Sequence, residues 1–276
     1  MEKFSVLMSV YAKDRPAWVH QALESVLSNT VQPSEVVIMV DGPVPEDLRG
    51  VLDASARNPL VRVINQSVNM GRGAALSKAV PQCRNELIAL VDADDVSRSD
   101  RFEKQLATFA AAADLAVVGG QVQEVDAETF RHGAQRCVPL THADIKQYLK
   151  TRMPFNNPTV MFKKTAVLDS GGFQPFGLLE DYYMWARVIA KGYKTANVPD
   201  VVVDMRVAPA LYSRRGGWGY FKNNYAMSRK LRELGLISWP IHAFNTSIRF
   251  CVQVLMPNWL RGKFYRGLLR YKLMKE

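Results

Sequence analysis

The sequence predicts an α/β fold in which a Rossmann-like, mostly parallel sheet is flanked by helices. Two observations lead to this prediction. In the first half of the 276-residue chain, short β-rich runs alternate with helical patterns. The runs are also apolar on both faces, as in strands that lie between two layers of helices. The four runs are residues 4–11, 35–41, 61–65 and 86–92.

The helices are predicted from their first residues and from the spacing of apolar side chains. The first helix begins near Pro16 and places Val19 and Leu23 on one face. The helix that follows the fourth strand is expected to begin with a capping box formed by Ser97 and Asp100. Because each strand is followed by a helix, the chain has the βα order of a parallel sheet.

The second half of the chain is less regular. After residue 126 a loop leads to a helix opened by Thr141 and Asp144, then to a strand-like run at 158–164 and a helix at 178–192. No repeat, low-complexity stretch or Ser/Pro-rich linker separates the two halves. We therefore expect one continuous α/β domain with an appended tail.

Three carboxylates, those of Asp92, Asp94 and Asp95, follow the fourth strand. In open α/β sheets, ligands bind beyond the carboxyl ends of the strands. Polar or glycine residues also follow the first three strands: Tyr11, Asp14, Asp41, Gly42, Asn69 and Gly71. We expect these residues to meet at one edge of the sheet and to form a site there.

The three carboxylates predict a divalent cation. Crowded carboxylates repel one another unless a cation lies between them. Mg²⁺ or Mn²⁺ is held by one or two carboxylates and completes its oxygen shell with water and phosphate. The pattern therefore indicates a metal together with a nucleotide diphosphate. The alternative is an acidic turn that caps the next helix, since short acidic motifs often match by chance.

Other nucleotide-binding and hydrolase motifs are absent from the sequence. The segment NMGRGAALSKA has Leu76 where a dinucleotide-binding fingerprint has its third glycine. No Walker A, HExxH or GxSxG sequence occurs. An NAD site, a P-loop, a zinc protease and a serine hydrolase are therefore unsupported.

A second pair of carboxylates, Glu180 and Asp181, begins the helix at 178–192 beside an apolar and aromatic face. Partial desolvation raises the pKa of a carboxyl group and makes it suitable as a general base. The alternative is an ordinary acidic first turn, which the helix dipole favours.

These segments, taken in order, resemble the inverting glycosyltransferases of family 2, which have the GT-A fold, and especially those of bacterial capsule and O-antigen synthesis. The matching segments are SVLMSVY, IMVDGP, Asn69-x-Gly71, VDADD, NPTVMF, GGF and LLEDYYMWARV. They cover roughly residues 4–215. The resemblance implies that the donor is a nucleotide sugar. UDP-galactose and UDP-glucose are the favoured donors.

The resemblance also assigns roles to individual residues. Eight are assigned to the nucleotide sugar: Ser9, Tyr11, Asp41, Asn69, Gly71, Lys78, Asp92 and Asp95. Among them Asp41 reads the base, Asp92 the ribose, and Asp95 approaches the sugar. Asp94, with Asp92, holds Mn²⁺ or Mg²⁺ at the two phosphates.

The resemblance further implies that Asp181 is the general base and that Glu180 supports it. Inversion at the anomeric carbon then converts an α-linked donor into a β-glycoside. Many relatives have His where Asn157 stands here, so an acceptor role for this position is open. The QxxRW signature and the membrane spans of processive synthases are absent, which indicates transfer of one sugar per encounter.

The positive charge of the chain is concentrated after residue 205. Residues 206–276 carry 14 Lys and Arg and two acidic residues, a net charge of +12, although the whole chain carries +10. We expect a GT-A domain at 1–215, with a nucleotide-binding half at about 1–125 and an acceptor-binding half at about 126–215. A basic amphipathic helical tail follows at 216–276.

The tail is too polar to span a membrane, because its apolar part from Trp239 to Leu260 is interrupted by His, Asn, Arg and Gln. Apolar side chains recur there at helical steps: Ile241, Phe244, Ile248, Val252 and Leu255. We expect a helix that lies on an anionic membrane surface. The alternative is a helical hairpin packed on the domain. Nucleic acid is not an expected partner, since no recognition motif accompanies the charge.

A lipid-linked acceptor would connect the tail with the site. In the family the acceptor is often a saccharide on undecaprenyl diphosphate, and GlcNAc-diphosphate-undecaprenol is favoured here. Asn157, Arg206, Arg214 and Arg215 are candidates to contact its diphosphate or saccharide. The arginines are alternatively part of a loop that closes over the donor. The first residues lack the features of a secretory signal, so we expect a cytoplasmic protein, peripheral on the inner face of the cell membrane.

Two other functions remain open from the sequence. A nucleotidyltransferase that makes sugar nucleotides also uses an α/β sheet and acidic metal ligands, but usually carries a Gly-rich basic loop after its first strand, where this chain has YAKDRP. A noncatalytic, membrane-associated nucleotide-binding protein is the other. The presence of both DADD and Glu180-Asp181 argues against this second alternative.

Overall fold

The computed structural model describes residues 2–207 and 217–256. Its strands are β1 Phe4–Val10, β2 Glu35–Val40, β3 Val61–Asn65, β4 Leu87–Asp92, β5 Val96–Ser97, β6 Leu115–Asp126, β7 His132–Arg136, β8 Met161–Lys163 and β9 Lys194–Val207. They form one curled sheet with the order β3-β2-β1-β4-β8-β6-β9-β5, and β7 pairs with β6.

Helices cover both faces of this sheet. They are α1 Pro16–Leu27, α2 Glu46–Ser55, α3 Arg72–Ala79, α4 Arg101–Ala111, α5 His142–Leu149, α6 Lys164–Asp169, α7 Glu180–Ala190, α8 Gly217–Glu233 and α9 Trp239–Phe250. Short 3₁₀ turns lie at Val80–Gln82, Asn157–Thr159 and Gly177–Leu179, and a π-helical turn follows α9 at Cys251–Leu255. The predicted α/β class is confirmed.

The first four strands are parallel, as predicted. β1 pairs with β2 on one side and with β4 on the other, and β2 pairs with β3. Ser9 of β1 therefore lies between Met39 of β2 and Asp92 of β4. Because parallel strands end at the same edge, the residues that follow β1, β2 and β4 come together there.

The second half of the sheet is mixed. β8 runs antiparallel to β4 and β6, whereas β6 and β9 are parallel. β9 also pairs with β5, where Val96 lies opposite Asp204 and Ser97 opposite Val203. This pairing fixes the chain directly after the Asp92–Asp95 segment onto a distant strand.

The predicted helix starts are confirmed at two places and wrong at a third. α1 begins at Pro16, and the Thr141 hydroxyl accepts from the Asp144 N–H at the start of α5. The capping box of Ser97 and Asp100 is absent. Ser97 instead belongs to β5, the Asp100 carboxylate pairs with Lys104 at 2.7 Å, and α4 begins without a side-chain cap.

The start of the predicted tail packs on the domain. Met227 and Leu231 of α8 belong to the core around Trp185 of α7. In α9 the Asn245 amide donates to the Lys150 carbonyl at 2.8 Å. Residues 217–256 thus agree with the hairpin alternative, and the domain boundaries and the tail beyond residue 256 stay predictions. No helix in the described part of the chain is long and apolar enough to cross a membrane.

Candidate active site

The end of β2 is bound tightly to the loop that precedes α3. The Asp41 carboxylate accepts from the N–H groups of Met70 at 2.8 Å and Gly71 at 2.9 Å. The Asn69 amide in turn donates to the Asp41 carbonyl at 3.0 Å. Gly42 has φ +89°, and a Cβ atom there would lie 2.6 Å from the Asn69 nitrogen. Asp41, predicted to read the base, therefore also fixes this loop.

The end of β1 brings a further carboxylate towards the acidic segment. Tyr11, predicted to contact the nucleotide, is exposed, and its N–H donates to Asp14 at 2.9 Å. Burial, together with the charges of Asp94 and Asp92, raises the pKa of Asp14 to about 6, although this hydrogen bond lowers it. Sequence reasoning placed Asp14 at the sheet edge but gave it no role.

The three carboxylates after β4 differ in their surroundings. Burial, and next the charge of Asp92, raise the pKa of Asp94 to about 6. Asp95 is only 4% exposed, and its carboxylate accepts from the Arg206 N–H at 2.9 Å. Burial and the charges of Asp94 and Asp92 raise the pKa of Asp95 well above its usual range. Asp95, predicted to approach the sugar, here contacts β9.

Arg206 holds this acidic segment from the β9 side. Its guanidinium donates to the Asp94 carbonyl and to the Gln21 side chain. It also lies 5.1 Å from the ring centre of Trp18 and 5.0 Å from that of Phe130. Arg206 is 8% exposed, so binding a diphosphate, as predicted, would require it to leave these partners. The candidates Arg214 and Arg215 lie outside the described residues.

A second arginine, Arg101, lies within the core beneath the acidic segment. It is fully buried and donates to the Leu90 carbonyl at 2.7 Å and the Ser97 hydroxyl at 3.0 Å. Burial lowers its pKa to about 9, while the charges of Asp92 and Asp95 act in the opposite direction. Arg101 therefore supplies a fixed positive charge next to the carboxylates.

A cavity of about 590 Å³ lies between the 69–71 loop and the start of α7. Asp92 lines one side, and Glu180 and Asp181 line the other. Arg72 spans the two sides: it donates to Asp92 at 2.7 Å and to both Asp181 oxygens at 2.9 and 3.0 Å. The cavity thus joins two of the predicted nucleotide residues, Gly71 and Asp92, to the predicted base residues.

The two acids of α7 both have raised pKa values. Burial, followed by the charge of Asp181, raises the pKa of Glu180 to about 7. Burial also raises the pKa of Asp181, although Arg72 lowers it. Carboxyl groups with raised pKa values in a cavity are suited to proton transfer near neutral pH.

Of the predicted site residues described by the structure, Gly71, Asp92, Glu180 and Asp181 line the cavity, and Lys78 and Asn157 are among those that do not. Lys78 is in the last turn of α3 and donates to Gln66 at 3.1 Å. Asn157 accepts a hydrogen bond at 3.4 Å from the indole of Trp185, and Trp185 lies one turn along α7 from Asp181. Arg72 was missed as a site residue because the NMGRG segment was judged only by its glycines. A cation among the acidic strand ends was the available signal.

The donor set fits a divalent cation only in part. The described residues contain no group of three or more His, Cys, Asp or Glu side chains arranged to hold a metal. However, Asp92 raises the pKa of both Asp94 and Asp14, so the carboxylates create a negative potential that a cation would relieve. One or two carboxylates suffice for Mg²⁺ or Mn²⁺ if phosphate oxygens complete the shell.

The fold is that of the GT-A glycosyltransferases. The structure superimposes on that of Staphylococcus aureus TarS with a TM-score of 0.67 and 15% identity, over 98% of this chain and 46% of TarS. It also superimposes on the Pyrobaculum calidifontis mannosyltransferase PcManGT in complex with GDP-Man and Mn²⁺, with a TM-score of 0.59 and 16% identity, over 98% of this chain and 81% of that one.

The chain belongs to glycosyl transferase family 2, whose sequence profile matches residues 5–173. It is 35% identical to the Escherichia coli UDP-Gal:alpha-D-GlcNAc-diphosphoundecaprenol beta-1,3-galactosyltransferase, over 97% of each chain. It is 31% identical to the Erwinia amylovora amylovoran biosynthesis glycosyltransferase AmsE, over 96% of this chain and all of AmsE. The predicted family, fold and enzyme class are confirmed, and the nucleotidyltransferase alternative is not supported.

Replacing Asp94 with Asn should stabilise the metal-free protein in a pH-dependent way. The pKa of Asp94 is about 6 in the folded protein against 3.8 as a reference, so its ionisation destabilises the fold as the pH rises through this interval. The difference in Tm should be near zero below this interval and should rise to as much as roughly 6–12 °C in favour of Asp94→Asn above it, since about two pKa units correspond to roughly 3 kcal/mol and each kcal/mol to roughly 2–4 °C.

Thermal unfolding in EDTA across this pH range tests the prediction. Asp53→Asn, which removes an exposed aspartate of α2, controls for the general loss of one negative charge. A constant difference between Asp94→Asn and the wild type at every pH would contradict the raised pKa.

Proposed function

We propose that this glycosyltransferase is inverting and metal-dependent and transfers one hexose from a UDP-sugar to a lipid-linked saccharide. UDP-galactose is favoured over UDP-glucose, and GlcNAc-diphosphate-undecaprenol is the favoured acceptor. The observation that carries the proposal is the cavity in which Asp92 and Asp181 face each other across Arg72. The E. coli relative, whose name specifies this donor and acceptor, supports the choice of substrates.

The metal belongs to the donor side of the site. Asp94, together with Asp92, would hold Mn²⁺ or Mg²⁺, which when bound offsets the charge that develops on the leaving diphosphate. The raised pKa of Asp94 supports a cation at this position. The presence of Mn²⁺ in the PcManGT complex is consistent with it.

Asp181 is proposed to act on the acceptor. Its carboxylate takes the proton from the acceptor hydroxyl while that oxygen forms a bond to the anomeric carbon. The bond from this carbon to the donor phosphate oxygen breaks on the opposite face, and the diphosphate leaves with the electron pair. Attack from the opposite face inverts the configuration, so an α-linked donor gives a β-glycoside.

The acceptor lipid and the basic C-terminal region are proposed to place the enzyme at the inner face of the cell membrane. Phe244 and Ile248 of α9 are 63% and 46% exposed, and Leu255 in the next turn is also exposed. Ile241 packs against the core instead. An exposed apolar stripe within a stretch of sequence, 206–276, that carries a net charge of +12 is typical of proteins that bind anionic lipid surfaces.

Transfer to a defined acceptor tests the function. With Mn²⁺ or Mg²⁺ present, the protein should convert UDP-galactose and a synthetic GlcNAc-diphosphate-lipid into a β-linked disaccharide, with UDP-glucose run in parallel. EDTA should abolish turnover and added metal should restore it. Mass spectrometry and NMR of the anomeric proton identify the product.

The same glycolipid without its diphosphate is the control acceptor. An α-linked product would rule out inversion, and undiminished turnover in EDTA would rule out the metal. No transfer from either UDP-sugar would reject the proposed donor class.

Replacing Asp181 with Asn should separate binding from chemistry. The amide keeps the shape of the side chain but accepts no proton, so kcat should fall roughly 10²-fold or more while the affinity for UDP changes little. Steady-state kinetics and calorimetric titration with UDP measure the two effects. Glu180→Gln is the matched variant in the same cavity; if it is inactive and Asp181→Asn is active, Glu180 is the base.

Binding to vesicles tests the membrane proposal. The full-length protein should float with vesicles that contain anionic phosphatidylglycerol and should dissociate from them at high salt. It should not bind neutral vesicles. Phe244→Gln with Ile248→Gln should weaken flotation. Leu140→Gln, at another exposed apolar residue, is the control and should float like the wild type. Absence of flotation under all conditions would reject membrane binding.

A further inference from the structure

Among the described residues that line the cavity, Arg72 forms the largest number of ion pairs, one with Asp92 and one with Asp181. Its Nη1 donates to both oxygens of Asp181, and its Nη2 donates to Oδ1 of Asp92. The side chains of all three residues are between 21% and 28% exposed, so they face the cavity without being solvated like surface groups. One guanidinium thus connects the donor side of the site to the proposed base.

The position of Arg72 is fixed by the fold on both sides of it in the chain. Gly71, directly before it, donates its N–H to Asp41 at 2.9 Å. Gly73, directly after it, lies so close to the start of α7 that a Cβ atom would be 3.4 Å from the Gln174 carbonyl and 3.5 Å from the Glu180 Cβ. The first turns of α3 and α7 are therefore adjacent, and the Arg72 side chain extends from one to the other.

Helix stability does not explain an arginine at this position. Arg72 is the first residue of α3, where the helix dipole disfavours a positive charge. Asp181 lies in the first turn of α7, where the dipole already favours a carboxylate. The ion pair therefore stabilises the arrangement of side chains in the cavity rather than either helix.

We propose that Arg72 is a positioning residue that orients the Asp181 carboxylate towards the acceptor hydroxyl and links this orientation to Asp92. The inference rests on the proposed role of Asp181 as general base. The two terminal nitrogens of the planar guanidinium contact two different carboxylates, Nη1 that of Asp181 and Nη2 that of Asp92, so its plane fixes one carboxylate relative to the other. A lysine has a single ammonium nitrogen and provides charge without this planar pair of donors. Charge alone is therefore insufficient, and the geometry of arginine is required.

A double-mutant cycle tests the proposal. Arg72→Met should lower kcat by roughly 10²-fold, the size of effect that a misplaced catalytic group produces, and Arg72→Lys should restore only part of it. If Arg72 acts through Asp181, Arg72→Met should have no further effect once Asp181 is Asn. The double variant should then match Asp181→Asn to within about twofold. UDP affinity should change by less than about threefold in Arg72→Met.

Chemical rescue distinguishes the proposed role from a purely structural one, because a structural role of Arg72 would not make kcat depend on added guanidinium. In Arg72→Ala, millimolar guanidinium should raise kcat, whereas methylammonium at the same concentration should not. This experiment requires only a folded Arg72→Ala protein, which its melting curve establishes. Arg49→Met is the matched control, because Arg49 of α2 donates to Asn65 at 2.7 Å outside the cavity. It should keep the kcat of the wild type.

Three results would overturn the proposal. If the losses in the double variant multiply, Arg72 acts independently of Asp181. If UDP affinity falls with Arg72→Met, Arg72 contacts the donor diphosphate directly. Equal kcat for Arg72→Lys and the wild type would show that charge alone suffices and would also reject it. These failures differ from failure of the proposed function, in which the wild type itself transfers no sugar.

Discussion

The site depends on how the fold compensates a group of like charges. Four carboxylates interact at one edge of the sheet, and burial with mutual repulsion raises the pKa of three of them: Asp14, Asp94 and Asp95, beside Asp92. Such a group is unfavourable unless positive charge is near. Three arginines surround it, each from a different element: Arg72 of α3, Arg101 of α4 and Arg206 of β9. The elements that hold these arginines are therefore as important to the site as the acids.

The three arginines are not equivalent. Arg101 and Arg206 are buried and donate to main-chain carbonyls, those of Leu90 and Asp94, so their charge is fixed in place. Arg72 is partly exposed and bonded only to carboxylates in its recorded contacts. The fold thus provides a permanent positive background behind the acidic segment and one cation at the reactive surface. Burial and the charge of Asp92 raise the pKa of Asp94 by more than the charges of Arg206 and Arg72 lower it.

The sequence predicted those features that depend on short-range patterns. The apolar runs specified the parallel strands, and the edge rule for α/β sheets placed Asp41, Asn69 and Asp92 near one another. Contacts between distant segments were not predictable in this way. The Asp95 carboxylate is bonded to the main chain 111 residues further on, and Ser97 belongs to a strand because it pairs with β9. Nothing in the local sequence at either position indicates these partners.

The packing of Trp18 against Arg206 has a consequence for spectroscopy. The indole is half-buried, with the Arg206 guanidinium 5.1 Å from its ring centre, and the same guanidinium donates to the Asp94 carbonyl. Indole emission responds to the electric field at the ring. If the acidic segment moves or a charge binds beside it, the Arg206 guanidinium should shift and change the field at Trp18. The enzyme thus contains a native fluorophore linked to the proposed donor site, and we expect its emission to change when a charged ligand binds there.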